Sequence, residues 1–130
     1  EIARSGDKVI RAQDIAQTQD IPAKFLEQVL LPLKHRGIIE TRRGVGGGYI
    51  LNIPADKITV ADIVRILDGP IAPVSCISET AHHTACRHNE NLCALKSVMT
   101  EVSFAILSVL ERVTLADLLE RAQGLKAAAA

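Results

Sequence analysis

The chain has 130 residues and a mass of 14.0 kDa, with 48% hydrophobic and 23% charged residues, which fits one globular core and excludes disordered, fibrous and disulfide-dense classes. Fifteen Lys and Arg balance fifteen Asp and Glu. Neither a global basic field nor an apolar run of about 18 residues for a membrane span is present. Two Phe, one Tyr and no Trp leave too few aromatic faces for a base-stacking surface on single strands.

Taken in chain order, Glu1-Ile2-Ala3-Arg4 reads as the end of a helix already under way, so upstream residues are expected. There is no basic-then-apolar export signal, and three Cys is an odd number; both point to a reducing compartment, the cytoplasm, and to a metal or redox role for the thiols. Residues 10–18 place Ile15 and Ala16 on one side of a short helix. Asp20-Ile21-Pro22 supplies an N-cap acid and a first-turn proline for a second helix, along which Phe25, Leu26, Val29, Leu30 and Leu33 form an apolar stripe until Gly37. That stripe leaves Ala23, Lys24, Glu27 and Gln28 facing outward, small or polar residues able to reach base edges in a major groove. A short helix, a tight turn and a second helix have helix-turn-helix spacing.

Residues 38–43 and 49–52 are two short apolar segments around Gly44-Val45-Gly46-Gly47-Gly48, the pattern of a β-hairpin. No Lys-Ser or Lys-Thr follows these glycines and no helix begins there, which favours a wing over a nucleotide-binding loop. Arg42 and Arg43 at its base suit phosphate or minor-groove contact. Between residues 24 and 43, Lys24, Lys34, Arg36, Arg42 and Arg43 outnumber Glu27 and Glu40, so the anion-facing charge lies in the first half of a neutral chain. The same charges are also compatible with an ordinary solvated face.

Thr59-Val60-Ala61-Asp62 is a capping signature for a helix ending near Gly69-Pro70, and Thr114-Leu115-Ala116-Asp117 repeats it. Leu92, Leu95, Met99, Val102, Ile106, Val109 and Val113 advance in alternating threes and fours, a heptad seam that needs a partner helix. An intramolecular partner would satisfy it, but few free helices remain, which favours a homodimer. All three Cys lie between: Cys76, nine residues, Cys86, six residues, Cys93, with His82, His83 and His88 among them. Thiolates in one loop can converge on a soft metal or an iron-sulfur cluster, while buried thiols or one reversible disulfide are the plainer alternatives. No Cys-x-x-Cys, Ser/His/Asp set or paired-carboxylate set marks an enzyme.

The order of helix-turn-helix, Arg42-Arg43-Gly44-Val45-Gly46-Gly47-Gly48-Tyr49 wing, capped helix, three-Cys loop and heptad helix resembles the Rrf2 family of winged-helix transcription regulators, of the IscR and NsrR type. Phe25-Leu26-Glu27-Gln28 with the Gly-Gly-Gly-Tyr wing is the most specific part. The resemblance implies a mainly α fold with a small β-hairpin wing: a winged helix-turn-helix domain over 1–70, a cluster-binding loop over 71–93, and a dimerisation helix and C-terminal helix over 94–130. It implies a non-enzymatic, homodimeric regulator of a palindromic double-stranded operator. Lys24, Glu27 and Gln28 would read bases, and Arg42, Arg43, Gly46, Gly47 and Tyr49 would serve the wing. It further implies an iron-sulfur cluster, of two or four irons, on Cys76, Cys86 and Cys93, whose loss or redox change alters DNA affinity. Some members place a His three residues after the third Cys, where this chain has Lys96; His88 is the expected substitute within the loop. The alternative expectation is a cluster-free regulator that senses thiol oxidation, a small molecule or a partner protein.

Overall fold

In a computed structural model, described over residues 1–78, 80 and 92–129, the chain runs α1 (Ala12–Gln19), α2 (Ala23–His35), β1 (Ile39–Arg42), β2 (Gly48–Leu51), α3 (Val60–Leu67), α4 (Ala94–Leu110) and α5 (Leu115–Ala129). This is the mainly α architecture with a two-stranded wing that the sequence predicts. Short 3₁₀ turns, Ala55–Lys57 and Ser75–Ile77, flank α3. Residues 2–7 form turns rather than the end of a helix.

The turn between α1 and α2 is set by Asp20, which adopts φ 51, the left-handed region that a short polar side chain tolerates. The Ile21 N–H then donates to the Ala16 carbonyl at 2.9 Å, closing the end of α1. Asp20 is therefore the C-cap of α1 and not the N-cap of α2; Pro22 holds that second position without a side-chain bond. Inside α2, Pro32 removes the N–H that would reach the Gln28 carbonyl, one turn before the helix ends.

Leu26, Leu30 and Leu33 of α2 pack with Ile15, Ile38, Ile39 and Ile58 in the core. Their spacing puts the three leucines on one face, as the apolar stripe requires. Phe25 departs from the expectation: it stands 56% exposed, displaced from the inward face by Leu26. β1 and β2 pair antiparallel with Ile39 opposite Leu51 and Arg42 opposite Gly48, and Ile10 adds a bridge to Tyr49.

Thr59 and Asp62 form a complete capping box at the start of α3. Thr114 and Asp117 repeat it at α5. The chain after α4 returns to the winged-helix core: the Val60 N–H donates to the Val113 carbonyl at 2.8 Å, and the Leu115 N–H to the Ile58 carbonyl at 2.9 Å. Val113 is buried there, and Leu92 precedes α4, so the heptad seam is shorter than the sequence suggests. Within α4 no residue is buried, and Leu95, Val98, Val102, Phe104, Ile106 and Val109 are all exposed.

Candidate nucleic-acid interface

The face of α2 opposite its leucines carries the residues that the sequence assigns to base reading. Lys24, Glu27 and Gln28 are all exposed, as is Ala23, and a cleft of about 580 Å³ separates this end of α2 from Gln13 and Gln17 of α1. A helix held from behind by three buried leucines and presenting short or polar side chains in its first two turns can enter a major groove without exposing the core.

The wing is built by sterics. Gly44 (φ 107) and Gly46 (φ 87) turn the chain through the left-handed region at its tip. Gly47 and Gly48 have a different reason: a Cβ would lie 2.5 Å from the Arg42 carbonyl oxygen and 2.3 Å from that of Ile10, respectively. Tyr49 is half-buried against the core, with its N–H donating to the Ile10 carbonyl at 2.8 Å and its carbonyl accepting from the Ile10 N–H at 3.0 Å. Arg42 and Arg43 differ as well. The Arg42 guanidinium is 2.7 Å from the Glu40 carboxylate, whereas exposed Arg43 makes no ion pair with a described residue. Among the described residues, the wing's unpaired cation is therefore Arg43.

Two of the three cysteines fall within the described residues. Cys76, in the 3₁₀ turn Ser75–Ile77, is a half-buried free thiol that lines a cavity of about 480 Å³ with Arg65, Lys96, Thr100 and Ser103. Cys93 is also half-buried and free; it is the N-cap of α4, its Sγ accepting from the Lys96 N–H at 3.4 Å. A sulfur at that position faces the positive end of a 17-residue helix, which suits a metal-bound thiolate. Cys86 and His88, like His82 and His83, lie outside the described residues. Among the described residues no three His, Cys, Asp or Glu side chains form a group that could hold a metal ion. In kind, Cys76 and Cys93 fit the soft donors of an iron-sulfur cluster, at the two ends of the segment that contains Cys86.

Sequence reasoning missed the Arg65–Glu111 ion pair that joins α3 to the end of α4. No periodic pattern signals a contact 46 positions apart.

Residues 1–121 match the family described as "Rrf2: Iron-dependent Transcriptional regulator". The chain belongs to the Rrf2 family. This Rrf2 chain is 32% identical over 125 residues to the HTH-type transcriptional regulator CymR of Bacillus subtilis, covering 95% of this chain and 83% of that protein. The solved structure of CymR, described as the global cysteine regulator of B. subtilis, superposes with a TM-score of 0.75 at 31% identity, covering 92% of this chain and 85% of that one. IscR of T. potens superposes with a TM-score of 0.72 at 29% identity, covering 93% and 77%. An oxidized form of Staphylococcus aureus CymR gives 0.69 at 28%, covering 90% and 82%. Rrf2 membership makes this a winged-helix transcriptional regulator of the DNA-binding class, and its relatives carry the names of regulators rather than enzymes. No described helix is long and apolar enough to cross a membrane.

Proposed function

We propose that this chain is a cytoplasmic, homodimeric regulator that binds a palindromic double-stranded operator, with an affinity governed by an iron-sulfur cluster on Cys76, Cys86 and Cys93. The observation that carries this reading is the pairing, in one small fold, of an exposed polar row on α2 with two free thiols packed at the loop end of α4. Lys24, Glu27 and Gln28 reach base edges in the major groove, and Arg43 takes the minor groove or its phosphates. Gly46 and Gly47 let the wing backbone approach DNA closely, Tyr49 anchors the wing on the core, and Arg42 adds charge at its base.

The division of labour follows 1–70 for DNA, 71–93 for the cluster and 94–130 for dimerisation, with the exposed face of α4 as the seam between copies. His88 is the fourth ligand in this reading. A bound cluster supplies a crosslink among thiols that is sensitive to oxidation and to iron supply. The chain's own residues do the rest: Cys93 caps α4, the Cys76 turn packs on α4, and Arg65 of α3 pairs with Glu111 at the C-cap of α4. A change at the Cys loop is thereby passed to the placement of the two reading helices, whose spacing must match the DNA repeat.

A second reading is favoured by the likeness to CymR, including a form described as oxidized: a cluster-free regulator that senses through thiol oxidation, a small molecule or a partner protein. One experiment separates them. The protein, purified without air, is examined by ultraviolet-visible absorption and by iron and acid-labile sulfide counts, and its DNA binding is measured before and after oxidation. Equal iron and sulfide, lost in Cys86→Ala together with a change in DNA affinity, is the expected result. A colourless, iron-free protein whose affinity changes with thiol oxidation establishes the second reading.

A further inference from the structure

Two large apolar side chains, Phe25 and Leu31, stand among the small and polar residues on the outer surface of α2, 56% and 53% exposed. Phe25 is in the first turn, beside Lys24 and one turn before Gln28, at the end of the helix that the reading above places in the major groove. Folding does not account for it. The inward face is filled by Leu26, Leu30 and Leu33, and no described core residue needs the ring. A phenyl ring left in water forgoes the stabilisation that its burial gives, so a surface that covers it gains affinity. It carries no hydroxyl or charge, so it can address neither a phosphate nor a base-edge donor or acceptor. One group in the major groove matches it: the 5-methyl of thymine, the only apolar substituent on a base edge there.

We infer that Phe25 is a specificity-determining residue that packs on a thymine 5-methyl group in the operator's major groove. Gln28, a turn further on, is placed to take the polar edge of an adenine in the same or the neighbouring pair. The inference rests on α2 being the reading helix.

The test uses the full-length protein in its native state. Double-stranded sites are selected from a random DNA pool, and the best site is then synthesised with uracil in place of each thymine in turn, which removes only the methyl group. We expect one thymine in each half-site at which uracil weakens binding about fourfold, the loss of one buried methyl. That penalty should vanish in Phe25→Ala and persist in part in Phe25→Leu. Equal affinity for every uracil-substituted site overturns the inference, even if Gln28→Ala still relaxes base discrimination, in which case α2 remains the reading helix. If Phe25→Ala leaves site affinity unchanged, the inference is again overturned. If neither Gln28→Ala nor Phe25→Ala alters site preference, the assignment of α2 itself falls.

Discussion

Thr59 and Asp62 bond to each other's backbone at the start of α3, and the hydroxyl of Thr59 also donates to the Asp62 carboxylate at 2.7 Å. The hydroxyl and backbone bonds from Thr59, the first being the larger influence, hold the Asp62 carboxyl below its ordinary value of 3.8. Such a carboxyl binds its proton less readily in the folded state, so the stability it gives is complete above 3.8 and fades as the pH falls through the lower folded value. Thr59→Ala should cost about 1 kcal/mol at neutral pH. It should also flatten the loss of stability below about pH 4, and urea unfolding over a pH series would show whether it does. At the wing, Glu40 engages Arg42, while Arg43 pairs with no described residue, so the two adjacent arginines are not equivalent. Arg43→Ala should weaken binding to all DNA sequences alike and lower the slope of log affinity against log salt by about one. A salt titration in which the slope is unchanged would remove Arg43 from the phosphate or minor-groove contact.

Among the elements, α2 shows what is legible in a sequence and what is not. Its leucines and its outward row of Lys24, Glu27 and Gln28 follow from helical spacing, because burial and exposure repeat with the turn. Its N-terminus does not: Asp20 has the chemistry of an N-cap, but the tight turn demands a left-handed residue at that point, and tertiary geometry decides between the two uses. Phe25 illustrates the same limit, since a stripe wider than the available core must leave one member outside. The glycines of the wing are legible as a turn or a close backbone approach, but not which carbonyls Gly47 and Gly48 approach, one of which, on Ile10, is distant in the chain. Leu30 is 3% exposed at the centre of the α2 contact. Leu30→Ala should cost about 2–5 kcal/mol, measured by denaturant unfolding, whereas Gln28→Ala, on the opposite face, should be close to neutral in the same assay.

For the whole molecule, the long helix α4 has no buried residue within one chain, although its composition is strongly apolar. An exposed apolar face of this size marks a surface for contact with another surface. If α4 is the seam of the proposed homodimer, Val102→Asp should halve the mass seen by light scattering and reduce operator affinity sharply, because two half-sites would no longer be engaged together. A variant that keeps the mass of the parent would move the seam elsewhere. The capping boxes, the wing and the heptad helix were each visible locally, but the way the chain closes was not: Val113 and Leu115 bond to Val60 and Ile58 across more than fifty positions, a pairing without local signature. That closure ties the core of residues 1–70 to a segment more than fifty positions further along the chain. A fragment cut after residue 70 would lose the strand-like seal over Ile58, the most deeply buried large side chain, and open its own core to water. A graft of α2 and the wing onto another protein would therefore have to carry the turn between α4 and α5 as well, because Val113 and Leu115 close the core behind them.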